Sequence, residues 1–494
     1  MTLRTYAHFI DGADAAGTSS ETIRRTSPGH GGDLADFAAG TAEDLNVAVT
    51  AARRSFEEGP WREMPATDKA AILNRWGDLI LENLERLAEI EAEESGKPIS
   101  YAKGEIQHSV AMTRYAASLG LQLHGEAFQN VGQNALGLVS REPRGVVGMI
   151  TPWNFPMVTL FQKLPYALAA GCSVVVKPSE LTSGTTIEAA RLGAQAGLPA
   201  GVFNVVTGTG SVVGNAMTSH PEVDMISFTG STPVGKAIGE ACARSVKRCA
   251  LELGGKAANV VFADADLDAA LDGVLFGIIL NQGEECVGGT RLLIEESVAA
   301  EFVEKLCARA AKVRTGLPLD KTADQSALIH EGHLQKVLDY IEIGKQEGAT
   351  LACGGNRITE GGLDKGFFVE PTIFTNVTPD MRIFREEIFG PVLTVTTFKT
   401  ENEAVALAND TNYGLGNGLW TKDVDKAILI TRRLKSGTVF VNTFLETSVQ
   451  MPFGGFKQSG VGRENGIDGL LEYTEVKSAF IKLGKRQPVL PHTL

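Results

Sequence analysis

The stretch "NQGEECVGGTR" (281–291) places a single cysteine, Cys286, behind two glutamates and ahead of two glycines. A structural cysteine normally lies among apolar residues and has no need of glycines beside it. The reactive form of the side chain is the thiolate, and Glu284 and Glu285 oppose it if they point toward the sulfur. A useful Cys286 therefore calls for a bound cation or a general base from elsewhere in the chain. Glu252, in "LELGGK" (251–256), stands in an apolar setting ahead of Gly254 and Gly255. Desolvation there would raise its pKa toward that of a working base. A glutamate on the surface of a helix or strand satisfies the same six residues equally well. Asn154, in "TPWNFP" (151–156), carries an amide donor on a proline-constrained loop, suited to an oxyanion and equally to an ordinary turn. The eight histidines have no ligand spacing, so no metal site is expected.

These residues must be positioned by folded elements. Residues 41–118 read as helical: "TAEDLNVAVTAARRSF" opens with Thr41 three before Asp44, close to a capping box. "DKAAILNRWGDLILENLERLAEIEAEES" continues the helical periodicity, with Gly96 and Pro98 as its stop. From about 143 short apolar runs alternate with helical segments: "GVVGMI" (145–150), "SVVVK" (173–177), "FNVV" (203–206), "MISF" (225–228) and "NVVF" (259–262). Such alternation predicts a parallel, doubly wound sheet, which binds ligands beyond the carboxyl ends of its strands. The segments that follow the first four runs are "TPWNFP", "PSE", "TGTG" and "TGSTPVG". Four strand ends rich in turn-forming and backbone-donor residues point to a cofactor pocket. A second α/β domain begins near 255, with strands such as "PVLTVTTF" and "GTVFVN".

At 494 residues the chain is long enough for two or three domains, and 43% hydrophobic against 21% charged residues suits a globular protein. A net charge of −13 argues against nucleic acid or an anionic membrane as partner. Six cysteines without a CxxC pair indicate neither a disulfide framework nor a zinc site. "MTLRTYAHFIDGADA" lacks the apolar h-region of a secretory signal, and no run of about 18 apolar residues suggests a membrane span. The expected setting is the cytoplasm.

Taken together and in order, "TPWNFP", "KPSE", "FTGSTPVG", "LELGGK", "NQGEEC", "EEIFGPV", "NDTNYGL", "GTVFVN" and "PFGGFKQSGVGREN" resemble the aldehyde dehydrogenase superfamily over essentially the whole chain. The resemblance implies an α/β fold of two doubly wound parallel-sheet domains, a modified Rossmann cofactor domain and a catalytic domain, with a small β oligomerisation arm. It implies Cys286 as the nucleophile, an oxyanion held by Asn154 and the Cys286 N–H, and Glu252 as the base for the hydrolytic water. Glu464 matches a second acidic residue of a proton relay. NAD is the implied cofactor, with NADP possible. Its phosphate turn would be Gly230, Ser231 and Gly235, its adenosine-ribose contacts Lys177 and Glu180, and its nicotinamide-side grip Glu387 and Phe389. Further cofactor positions are Ile150, Thr151, Pro152, Trp153, Ser179, Gly210, Gly214, Phe228, Thr229, Val234, Leu253 and Gly254. A carboxylate at Glu180 would bind a ribose diol and repel a 2′-phosphate, which favours NAD.

The substrate tunnel departs from the family, since many relatives have a tryptophan at the position of Gln162. Phe161, Phe444 and Phe453 remain as tunnel aromatics, while Gln162, Glu285 and Glu446 add polarity. This suggests a polar or amino-substituted aldehyde, betaine-aldehyde-like or an aminoaldehyde; the alternative is that these side chains face solvent or other loops. A CoA-acylating semialdehyde dehydrogenase would keep the cysteine but generally lack Glu252. A non-enzymatic dinucleotide-binding structural protein would not need Cys286, Glu252 and Asn154 together. The expected division is 1–120 with 144–253 as the NAD-binding domain, 254–465 as the catalytic domain, and 121–143 with 466–494 as the arm. A homotetramer is expected, with a dimer as the alternative.

Overall fold

The structure, a computed structural model, describes residues 3–485 and residue 490. The helical region opens as its sequence demands. Thr41 Oγ1 accepts the Asp44 N–H at 3.2 Å and the Asp44 carboxylate accepts the Thr41 N–H at 2.8 Å, capping the helix Ala42–Glu58. The following run divides at Asn83 into Ala66–Glu82 and Leu84–Ser95. It ends at Gly96, whose φ of 86° and close approach to the Ala327 carbonyl oxygen, 2.4 Å from where a Cβ would stand, admit no side chain. A 22-residue helix, Ile99–Gly120, packs beside them.

The first large sheet has five parallel strands in the order Arg248–Glu252, Met225–Thr229, Val146–Ile150, Ser173–Lys177 and Phe203–Val205. Antiparallel strands extend it at both ends: Gly460–Val461 beside Arg248–Glu252, and His8–Ile10 with Ala13–Ala15 beyond Phe203–Val205. The chain leaves Val146–Ile150 in one direction and returns to its other side at Met225. The loops Thr151–Pro156 and Gly230–Ser231 therefore flank the switch point where such sheets bind ligands.

The second sheet is also doubly wound. Six parallel strands run in the order Thr372–Thr375, Val392–Phe398, Arg291–Glu295, Ala258–Val261, Gly416–Trp420 and Thr438–Val441, with antiparallel Thr350–Cys353 at the edge. The run "NVVF", which continues the first series along the chain, thus lies in the centre of the second sheet. A third, antiparallel sheet joins Thr474–Lys482, Ala135–Pro143 and Glu126–Phe128. Within 466–494, Gly466–Glu472 is a helix with Leu470 in the first core, so the chain enters this small sheet only at Thr474. Residues 486–489 and 491–494 of that stretch, and residues 1–2, lie outside the described residues.

The sequence offered no strand for the first forty residues. They contain a three-stranded sheet of Arg4–Tyr6, Asp33–Ala38 and Thr22–Thr26, whose short strands lack clean alternation. Among the described residues no helix is long and apolar enough to cross a membrane.

Candidate active site

A cavity of about 760 Å³ opens between the carboxyl ends of the first sheet and the loops around the second, several of which lead into its strands, and Cys286, Asn154 and Glu252 all line it. Cys286 is brought there by an unusual turn. After the helix Leu267–Ile279, the residues Asn281, Gln282 and Gly283 take φ values of 49°, 53° and 73°. A Cβ on Gly283 would lie 2.3 Å from the Gly390 carbonyl carbon, so the turn needs glycine both for its backbone angle and for this contact. Asparagines tie the turn to the facing loop. Asn281 Nδ2 donates to the carbonyls of Asn154 and Glu284, each at 3.0 Å, and Asn154 Nδ2 donates to the Glu284 carbonyl at 2.9 Å. One amide hydrogen of Asn154 thus fixes its orientation, and the other remains for a ligand.

The two glutamates before Cys286 diverge. The Glu284 carboxylate turns away from the sulfur and accepts from the Ile329 N–H at 2.8 Å and Gln282 Nε2 at 3.2 Å. Glu285 lines the cavity. Burial first, then Glu285, Glu387 and Glu252, push the Cys286 thiol well above its ordinary pKa, so the sulfur is protonated at rest. Gly255 lies against it: a Cβ there would stand 2.0 Å from the Cys286 carbonyl oxygen.

Glu252 ends the strand Arg248–Glu252 and is 3% exposed. Neither carboxylate oxygen has a hydrogen-bond partner among the described residues. Burial raises its pKa to about 8, with Lys163 and Arg463 opposing the shift. Glu464 is buried and does not reach the cavity wall; it forms an ion pair with buried Lys163. Burial in turn lowers Lys163 to about 7, while Glu252 and Cys286 act to raise it. Lys163 therefore pairs with one carboxylate and feels the charge of the other, and the sequence reading missed it. A lysine within the apolar run "TLFQKLPYAL" was the available clue.

Of the expected cofactor residues, Pro152, Trp153, Thr229, Gly230, Ser231, Leu253, Gly254, Glu387 and Phe389 line the cavity. Ile150 ends one strand and Phe228 is the last residue but one of its neighbour, both with buried side chains. Gly210 and Gly214 bracket a single π-helical turn. Val234 and Gly235 fall in the first turns of the helix Thr232–Arg244, where a Cβ on Gly235 would strike the Leu253 side chain at 2.3 Å. Ser179 is buried beside Lys177, whose Nζ donates to the half-exposed Glu180 carboxylate at 3.1 Å. Glu387 accepts the Gly255 N–H at 2.8 Å, and burial raises its pKa to about 6 against the pull of Lys336 and Lys256.

These residues suit a dinucleotide. The hydroxyls of Thr151 and Thr229, at the ends of two adjacent strands, are buried without a hydrogen-bond partner among the described residues. The helix Thr232–Arg244 has no side-chain cap on its first N–H groups, which favours an anion there.

Two expected tunnel aromatics are misplaced. Phe161 is fully buried against Trp76, with ring centroids 5.0 Å apart, and belongs to the first core. On its helix Met157, Leu160 and Phe161 share the inward face, whereas Val158, Thr159 and Gln162 face the cavity. Phe444 is buried against Phe440 at 5.2 Å in the core of the second sheet, between the cavity residues Thr443 and Leu445. Phe453, Gln162, Glu285 and Glu446 do line the cavity. Phe440, Tyr101, Glu105 and His108, which the sequence did not suggest, line it too.

Two doubly wound sheets that bring a thiol, an amide and an unpartnered carboxylate to one cavity define an enzyme of the dinucleotide-binding α/β class. The chain belongs to the aldehyde dehydrogenase family, whose model matches residues 15–479. It is 42% identical over 472 residues to the betaine aldehyde dehydrogenase of Bacillus subtilis (strain 168), covering 96% of each chain. The fold is that of the NAD-dependent aldehyde dehydrogenase from Sinorhizobium meliloti, with a TM-score of 0.96 and 45% identity over 98% of this chain and 96% of that one. The betaine aldehyde dehydrogenase of Staphylococcus aureus, solved in complex with NAD+, has a TM-score of 0.96 and 38% identity over 98% and 96% of the two chains. The protein is accordingly an oxidoreductase acting on aldehydes.

Proposed function

We propose that the protein oxidises an aldehyde to its carboxylic acid with NAD, through a thioester on Cys286. The carrying observation is that buried Glu252, both oxygens unpartnered among the described residues, shares one cavity with Cys286 and Asn154. Cys286 gives up its proton to a nearby base and attacks the aldehyde carbon. The free amide hydrogen of Asn154 and the Cys286 N–H hold the oxyanion of the thiohemiacetal. Bound NAD supplies the hydride acceptor through which the adduct becomes a thioester. Glu252 then takes a proton from the water that attacks the thioester, which releases the acid and restores the thiol. The Lys163–Glu464 pair, whose ammonium acts electrostatically on Glu252, would give that proton a route away from the cavity.

For the cofactor, Gly230, Ser231 and the first turn of Thr232–Arg244 would hold the diphosphate. Lys177 and Glu180 would hold the adenosine ribose, and Glu387 the nicotinamide ribose. The carboxylate of Glu180 favours NAD over NADP, and the similarity to a relative solved with NAD+ supports this.

For the substrate we favour a polar or amino-substituted aldehyde. Glu285 is half-buried on the cavity wall with Oε2 unpartnered among the described residues, beside a cavity also lined by Gln162 and Glu446. Similarity to two betaine aldehyde dehydrogenases supports this reading.

The test is NADH formation from aliphatic, aromatic, hydroxy, amino and trimethylammonio aldehydes, each with NAD and with NADP. A cationic or polar aldehyde is expected to lead in kcat/KM, and Glu285→Ala is expected to erase that lead by about 10-fold, the scale of a lost charge-assisted contact. An unchanged ranking would remove the substrate reading and leave the mechanism standing. Turnover only with added CoA would instead assign an acylating enzyme and remove Glu252 from its role.

A further inference from the structure

Beneath the loop that carries Asn154 lies a buried charge cluster that the proposed chemistry does not use. Lys97, in the helix-stop "SGKP" (95–98), is 0% exposed. Its Nζ ion-pairs with Glu105, lies 3.8 Å from Glu91, and stands 4.5 Å from the centroid of the Phe155 ring. The free ends of the two carboxylates reach the next turn of chain. Glu105 Oε1 accepts the Val158 N–H at 3.0 Å, and Glu91 Oε1 lies at 3.5 Å from the Met157 N–H, while its Oε2 accepts the Thr185 hydroxyl at 2.8 Å. The short helix Pro156–Phe161 has no side-chain cap of its own. Its first N–H groups are thus held by these carboxylates, and Phe155 by the Lys97 ammonium. Asn154 is the next residue back. Its other anchor is the Glu284 carbonyl, one residue from Glu285 and two from Cys286.

We infer that Lys97, Glu105 and Glu91 are positioning residues that fix Asn154 over Cys286 by clamping Phe155, Met157 and Val158. This rests on the reading of Asn154 as the oxyanion donor. Three ionisable groups in a dry interior are costly and are more readily explained by a geometry they enforce than by stability. Burial, and then Glu105, push Glu91 well above the usual carboxylate range. That direction favours the neutral form of Glu91 beside the Lys97–Glu105 ion pair. A rigid amide matters here because the oxyanion forms only during the reaction, so a displaced donor lowers kcat while ground-state binding persists.

The experiment is a double-mutant cycle on the full-length enzyme with propanal and NAD. The pair Lys97→Met/Glu105→Gln removes both charges together, so neither is left buried alone. It is expected to lower kcat about 10- to 100-fold, the scale of a misplacement near 1 Å, with both KM values within about twofold. In an Asn154→Ala background the same pair is expected to cost less than about twofold more, because the group it positions is gone. Lys97→Arg is expected to restore most of the rate, since it keeps the charge. Equal losses in both backgrounds, or a raised KM at constant kcat, would overturn the inference. If Asn154→Ala alone leaves kcat unchanged, the oxyanion reading fails first and the inference falls with it. Should the charge-free pair not fold, Glu105→Gln alone enters the same cycle, with an expected loss of about 3- to 10-fold confined to the Asn154 background.

Discussion

Glu252 combines two properties that are rarely found together: full burial and a carboxylate without hydrogen bonds among the described residues. An unpaired buried carboxylate resists ionisation, which accounts for its rise to about 8. Its sign for catalysis is definite. A base must be unprotonated, so kcat for a substrate limited by thioester hydrolysis is expected to climb with pH and level off above about 8. Glu285 also titrates at about 8 for the same reason, so the profile is best recorded in Glu285→Gln. Glu252→Gln is expected to flatten the climb and lower kcat by about 10²- to 10⁴-fold. A single stoichiometric burst of NADH should survive in that variant, measured by stopped flow. A pH profile unchanged by Glu252→Gln would dissociate the climb from this residue. Of these groups, Cys286, Asn154 and Glu252 could be read from sequence because each stands beside the glycines or prolines that give it access. Phe161 could not. Its neighbour Gln162 faces the cavity, and only the phase of a six-residue helix decides between them. Lys163 acquires meaning only through its interactions with residues 89 and 301 positions away, the charge of Glu252 and the ion pair with Glu464.

Among elements, the loops that converge on Cys286 are packed through backbone rather than side chains. Gly255 allows the strand end after Glu252 to pass against the Cys286 carbonyl, with 2.0 Å between that oxygen and the place of a Cβ. No rotamer change relieves a collision with backbone, so Gly255→Ala must move one loop. The cost in stability is expected to be about 1–3 kcal/mol, as for other overpacked sites. The larger effect should fall on the reaction: a loss of about 100-fold in kcat, since the shift separates sulfur from amide and carboxylate. Affinity for NAD, measured by calorimetry, is expected to change less, because the backbone that a Gly255 side chain would crowd is that of Cys286 and not the turn at Gly230 and Ser231. Equal losses of affinity and rate would show that the two loops move as one body. The main elements were readable because their runs are long or pure. Val174, Val175 and Val176 form a strand in any parallel sheet, and Thr41 with Asp44 marks a helix start. The turn at Asn281 and Gln282 was not, since left-handed backbone at non-glycine residues follows from tertiary contacts such as the Asn281 amide bonds.

At the scale of the molecule the question is what covers the third sheet. Its strand Thr474–Lys482 pairs along one side with Ala135–Pro143 and, among the described residues, leaves the other edge open over nine residues. Val476 is 61% exposed and Phe480 68%, on the same face of that strand, and Leu483 follows at 50%. Val476 and Phe480 left bare on an unpaired strand edge are a liability that proteins ordinarily avoid. A second copy of the chain is the simplest cover, and a homotetramer assembled through this arm is the state we expect. Val476→Lys with Phe480→Lys places two charges in the contact. The double variant is expected to sediment as a smaller species than the unaltered protein at micromolar concentration. None of the strand's residues lines the cavity, so the change should reach turnover only through assembly. Rate restored at high protein concentration would show that assembly and activity are linked; a small species with full activity would show a protomer competent on its own. A sedimentation coefficient unchanged by both lysines would exclude this edge as the contact.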